Sequence, residues 1–155
     1  MRLYNLNKNF WLIAPTNSRF FILLPLFYTI IIQILTGFPR SETLREISAS
    51  ELLLRFSEEL FDYPFWLQDL SHFPLFFVFS WGWAWYLRRA NNSRYRLFVT
   101  IILASGYAIL NELTQIYIPQ RFLSLGDIVT NLLGVTTAIS IHTFVLNRCS
   151  LKTNQ

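Results

Sequence analysis

The sequence predicts an all-α, polytopic membrane protein: one domain over residues 1–155, with four transmembrane helices and an amphipathic interfacial helix in the first outer loop. Two observations carry this. Of the 155 residues 53% are hydrophobic and only 14% are charged, where a soluble domain carries about 25% charged residues. Four stretches, over 20–38, 71–87, 97–118 and 128–146, approach the roughly 20 apolar residues needed to cross a bilayer core of about 30 Å. In hydrocarbon each must be helical, because a lone strand leaves its backbone groups unpaired.

The first span, "FFILLPLFYTIIIQILTGF", follows a polar or mixed segment, is longer than a signal-peptide core and is not followed by an A-x-A site, so it is expected to be retained. Pro25 is expected to bend it. The loop after it, over 39–63, is more than a connector. Ser48 with Glu51 three residues later matches a capping box. Behind it Ala49, Leu52, Leu53, Phe56 and Leu60 fall on one face, away from Arg55, Glu58 and Glu59. This predicts a helix over about 49–61, either lying on the outer interface or closing the mouth of the bundle.

Cytoplasmic segments carry the excess of lysine and arginine. Arg2, Lys8, Arg19, Arg88, Arg89, Arg94, Arg96, Arg148 and Lys152 share one side of a four-span chain, and Arg40, Arg45, Arg55 and Arg121 the other. Both termini are therefore expected in the cytoplasm of a cell-membrane protein. Trp81, Trp83, Trp85 and Tyr86 suit an inner aromatic belt, and Tyr63, Phe65 and Trp66 an outer one. The arginines over 88–96 suit an anionic lipid surface better than nucleic acid. Cys149 is the sole cysteine, which excludes an intrachain disulfide.

Polar residues enter these apolar runs at one depth. Glu112 lies about 22 Å into the third span at 1.5 Å per residue, and Gln115 follows on the same face. Asp127 opens the fourth span, with Asn131 about 6 Å deeper. The stripes Ala104–Ala108 and Gly134–Ala138 continue these faces and would let the two helices meet closely. Asp69 and His72 begin the second span, where Pro74 is tolerated if the helix starts near Ser71. Arg121 lies in the short loop between the third and fourth spans. Gln33 is expected to satisfy a neighbouring helix, and His142 to be a packed or snorkelling side chain.

The motifs D-x-x-H-F (Asp69–Phe73), E-x-x-Q (Glu112–Gln115), P-x-R (Pro119–Arg121) and D-x-x-x-N-x-x-G (Asp127–Gly134) resemble the VanZ family of small membrane proteins. The resemblance covers about residues 68–138 and implies a link to resistance against teicoplanin-type glycopeptide antibiotics. Leu70 and Gln120 depart from it, since family members often carry lysine and glycine there.

Asp69, Glu112 and Asp127 together outnumber the cations Arg121 and His72, and an uncompensated charge at low dielectric is costly. Three functions answer that shortage. The chain is an enzyme acting on a polyprenyl-linked or phospholipid headgroup, with Glu112 as acid or base, Asp69 holding the His72 tautomer and Arg121 gripping phosphate; a divalent metal on Asp69, His72, Glu112 and Asp127 is a variant. It binds a membrane lipid or cell-envelope headgroup without transforming it, through Gln115, Arg121, Asp127 and Asn131. Or the cluster only fixes helix packing, with Glu112 paired to Arg121, Gln115 to Asn131 and Asp69 to His72.

Overall fold

The computed structural model describes residues 19–87, 93–119 and 121–153. Arg2, Lys8, Arg88, Arg89 and Gln120 lie outside them, as do the side chains of Arg19, Phe65, Cys149 and Lys152. The regular structure of the described residues is entirely helical: α1 Leu23–Gly37, α2 Ser41–Glu46, α3 Glu51–Phe61, α4 Phe65–Leu87, α5 Ser93–Gln115 and α6 Leu125–Thr153. Three helical stretches, Phe20–Gly37, Arg94–Gln115 and Leu125–Arg148, are long and apolar enough to cross a membrane, as a multi-pass membrane protein requires.

The fourth expected span is α4. Its 23 residues reach about 34 Å, enough for a bilayer core of about 30 Å, but it is not among the stretches apolar enough to cross. Gln68, Asp69, His72 and Pro74 occupy one half, and Trp81, Trp83, Trp85 and Tyr86 the other. It starts at Phe65, six residues before the expected Ser71, so Pro74 stands in the helix interior and not in the first turn. Pro25 differs the other way. A 3₁₀ turn over Arg19–Ile22 precedes α1, which puts Pro25 in the first α-helical turn, where its missing N–H costs no intrahelical bond.

The apolar core joins all four long helices: Ile32 of α1, Phe76 and Phe79 of α4, Ala104 and Ala108 of α5, Val135 and Ile139 of α6. Tyr107 packs against both Phe76 and Phe79, with ring centroids 5.9 and 4.9 Å away. Its hydroxyl donates to the Thr29 carbonyl at 3.1 Å and to Gln33 Oε1 at 3.3 Å, while Gln33 Nε2 donates to Thr114 Oγ1 at 3.3 Å. Gln33 thus satisfies a neighbouring helix. Outside this core, Leu23, Phe27, Ile30, Phe98, Ile102, Leu133 and Phe144 are all exposed. Apolar surface on this scale is what a lipid-facing bundle presents.

The small residues are buried, but they do not all make the expected contact. Gly134 of α6 meets α4: a Cβ there would strike the Phe73 carbonyl and lie 3.0 Å from the Phe77 nitrogen. The close approach is therefore α4 to α6, because only a residue without a side chain lets those backbones touch. The inner aromatic belt also differs, since Trp85 is buried edge-on against Phe21 and Trp81 packs edge-on against His142. Tyr63 and Trp66 are exposed as expected.

In the loop, α3 begins at Glu51 with Ser50 in the capping position, and Ser48 adopts a left-handed φ of 54°. The capping box from Ser48 is not formed, because that backbone conformation belongs to a turn between α2 and α3. Leu52, Leu53 and Phe56 are exposed, while Ser57 is fully buried and donates to the Pro39 carbonyl at 2.9 Å.

Candidate functional site

The C-terminal ends of α1 and α5 and the N-terminal ends of α4 and α6 meet at one end of the bundle, and the buried polar side chains of these helices concentrate there. α6 is started by Ser124, whose Oγ accepts from the Asp127 backbone N–H at 3.2 Å, a side-chain cap on the first turn. That start points Asp127 inward and puts Asn131 one turn deeper, fully buried. α5 ends at Gln115, three residues short of the expected span, in turns closed by Tyr117 N–H to the Thr114 carbonyl and Ile118 N–H to the Gln115 carbonyl. Glu112 consequently stands in the last helical turn, with no exposed surface.

Glu112 is the hub. Its Oε1 accepts from Asn131 Nδ2 at 3.2 Å and from Gln115 Nε2 at 3.3 Å, and lies 3.7 Å from His72 Nε2. His72 of α4 is buried, and its Nδ1 lies 3.1 Å from the Gln68 carbonyl. From α1, Thr36 donates to Asn111 Oδ1 at 2.8 Å. Both are buried; neither was foreseen, although Asn111 adjoins Glu112 in the same apolar run.

Asp69 does not hold the His72 imidazole. It is exposed, and the group bonded to the imidazole is the Gln68 carbonyl. Asp69 lies three residues nearer the N-terminal end of α4 than His72, about 4.5 Å toward the rim of the bundle. Nor are the pairs of a pure packing clamp formed among the described residues. Glu112 meets His72 and not Arg121, and Gln115 and Asn131 both donate to Glu112 and not to each other.

Several buried polar atoms here make no hydrogen bond: His72 Nε2, Glu112 Oε2, Asp127 Oδ1 and Asn131 Oδ1. Leaving each so in a protein interior costs about 1–3 kcal/mol. His72, Glu112 and Asp127 each offer one ligand atom, all within 4.8 Å of one another, so these three could hold a metal ion. Asp69 is outside that group.

Above the cluster, a groove of about 830 Å³ runs between α1 and α4 and is capped by the end of α3. Tyr28, Leu35, Leu75 and Val78 line its deep part, and Thr36, Gln68, His72 and Arg121 its polar end. The Arg121 guanidinium lies 4.9 Å from the Phe61 ring centroid, and Arg40 lies 5.9 Å from the same ring. Burial lowers the Arg121 pKa from its ordinary value, and the positive charge of Arg40 pushes it the same way, against the opposing pull of Glu112 and Asp127. Two guanidinium groups thus lie against one ring at the mouth of the groove.

At the opposite end, a smaller cavity of about 250 Å³ is lined by Arg94, Arg96, Thr100, His142 and Asn147, among others. His142 is buried against Trp81, a packed histidine as expected.

No curated protein and no solved structure matches the chain. The sequence profile of the VanZ/LLP1 family matches residues 20–146, which spans every residue of the polar cluster and of the groove, and the chain belongs to that family.

Proposed function

We propose that the protein binds a phosphate-bearing membrane lipid, with the phosphate at Arg121 and Arg40 and the chain in the groove between α1 and α4. The observation that carries this reading is the division of that groove. Its deep lining is apolar and its capped end holds an arginine and a histidine, the order in which a lipid presents tail and headgroup. A cavity of about 830 Å³ lies within the range of about 300–1,000 Å³ usual for small-molecule sites. Leu67, Leu70 and Val78 on its wall are exposed, so a lipid can enter sideways from the bilayer. Guanidinium groups suit phosphate oxygens because their N–H donors form a planar fork.

In this reading α4 completes a four-span bundle and α3 lies on the outer interface, with Leu52, Leu53 and Phe56 toward lipid. Both termini are cytoplasmic, and the site opens to the outer face of the cell membrane. Phospholipids and polyprenyl-linked envelope precursors share the required chemistry, and a protein that holds such a headgroup at the outer face is suited to the glycopeptide resistance with which VanZ proteins are associated.

Native mass spectrometry of the protein released from native-lipid particles tests the reading. A defined phosphate-bearing lipid is expected at one per chain, its mass separating phospholipid from polyprenyl species, with loss of most of it in Arg121→Ala. Equal retention by a folded Arg121→Ala would overturn the proposal. Topology is tested by fusing a periplasm-dependent reporter after residue 60 and after residue 155: activity is expected only from the first, and activity only from the second would invert the orientation.

A further inference from the structure

Below the arginine mouth, buried acceptors without a hydrogen-bond partner outnumber the free donor beside them, Asn111 Nδ2. A carbonyl oxygen can only accept, so the contact of His72 Nδ1 with the Gln68 carbonyl at 3.1 Å places the ring proton on Nδ1. In the neutral ring, the form that ligates a metal, Nε2 is then a lone pair, and it stands 3.7 Å from Glu112 Oε1. Asn131 commits its Nδ2 to that same oxygen, which leaves its Oδ1 as an acceptor. Glu112 Oε2, Asp127 Oδ1 and Asn131 Oδ1 are buried with no hydrogen-bond partner, as is the histidine nitrogen. Atoms that only accept cannot satisfy one another.

Charge points the same way. Glu112 and Asp127 are both buried, and no lysine or arginine among the described residues lies within ion-pair distance of either. Glu112 also sits in the last turn of α5, where the free carbonyls carry partial negative charge. Water could supply protons to individual acceptors but would add no positive charge between the two carboxylates. A cation answers both deficits.

We propose that His72, Glu112 and Asp127 bind one divalent first-row cation of the zinc or manganese class, with Asn131 Oδ1 as a further oxygen ligand. One imidazole with two carboxylates is a mixed nitrogen and oxygen set that suits these ions. Ligand atoms about 2.0–2.2 Å from a metal lie at most about 4.4 Å apart, so a group within 4.8 Å closes on an ion with a small inward shift. The supporting contacts are those of a built metal centre. A backbone carbonyl fixes the histidine through its other nitrogen, and the Gln115 and Asn131 amides hold the Glu112 carboxylate. The cation deepens the headgroup reading and rests on it for its role: His72 also lines the groove, and positive charge there would relieve the repulsion between an arriving phosphate and the two carboxylates.

The test uses the full chain in lipid nanodiscs, stripped with chelator, reloaded with Mn²⁺ or Zn²⁺ and dialysed. Elemental analysis, Mn²⁺ electron paramagnetic resonance and thermal unfolding are then read. The wild type is expected to keep one ion per chain, to give the spectrum of protein-bound Mn²⁺ and to show a saturable rise in Tm. His72→Ala, Glu112→Gln and Asp127→Asn are each expected to weaken binding at least about tenfold, and Gln115→Leu by about tenfold through the lost support. A wild type that keeps no ion, or whose Tm neither ion moves, would falsify the proposal, and so would equal retention by the three ligand variants. Should a variant fail to fold, the wild-type stoichiometry and spectrum decide alone. Arg121→Ala separates the two readings: it is expected to keep the metal and lose the lipid. Metal without lipid in the wild type overturns the headgroup reading alone, and lipid without metal overturns the cation alone.

Discussion

The two histidines of this chain lie at opposite ends of the same bundle, and both are buried, His72 at 6% exposure and His142 at 4%. Their company differs. His72 holds a backbone carbonyl through one nitrogen and turns the other toward Glu112, in a cluster with Asp127. His142 lies edge-on to Trp81, and its ring centroid is 5.0 Å from the indole's, beside a cavity whose charged lining is Arg94 and Arg96. One imidazole has two carboxylates beside it, and the other borders a cavity lined by arginines. Burial of a histidine therefore carries no functional meaning until the charges around it are named.

That contrast can be broken most completely by exchanging the histidines for alanine. His72→Ala is expected to abolish the rise in Tm caused by Mn²⁺ or Zn²⁺, and His142→Ala to leave it intact; the opposite result would show that the ions act at the His142 end. Next in size is Gly134→Val. Its side chain would be driven into the α4 backbone at Phe73 and Phe77, a clash expected to cost about 3 kcal/mol in unfolding from mixed micelles. An unchanged stability would mean that α4 and α6 can separate freely at this depth. Asn131→Ala removes one of two amide donors to Glu112, with a loss of about 1–2 kcal/mol expected in the metal-free protein and a larger one once the ion is bound, because a proposed ligand goes with it. Thr36→Val deletes the hydrogen bond to Asn111 and is expected to cost about 0.6 kcal/mol, the average for polar contacts between membrane helices. Smallest is Glu51→Ala, which breaks an exposed pair with Arg55 and is expected to leave Tm unchanged within error.

The sequence made α1, α5 and α6 legible because each carries a long apolar run. Residue rise along a helix also brought Glu112 and Asn131 to one depth, and the side chains meet at 3.2 Å. The start of α4 was misread because Pro74 signals the first turn of a helix, whereas the chain continues helical for nine residues before it. Ser48 was preferred as a cap because a capping box counts spacing and ignores φ, and a left-handed residue cannot open a helix. Asp69 shows the limit of spacing arguments, since a residue three positions from a buried one can still face the rim. The tautomer of His72 was beyond reach for another reason: it depends on a main-chain carbonyl that no pattern of side chains reveals.

Gln68 performs two tasks at once. Its side-chain amide donates to the Tyr63 carbonyl at 2.6 Å and to the Phe61 carbonyl at 3.3 Å, in the turn that joins α3 to α4. Its own carbonyl is the one that faces the His72 ring. Phe61, in turn, is the ring on which Arg40 and Arg121 rest. A single residue thus touches both the lip of the groove and the imidazole at its polar end. The turn out of α3, the ring that carries both guanidinium groups and the set of the His72 imidazole therefore meet in the contacts of residues 61 to 72.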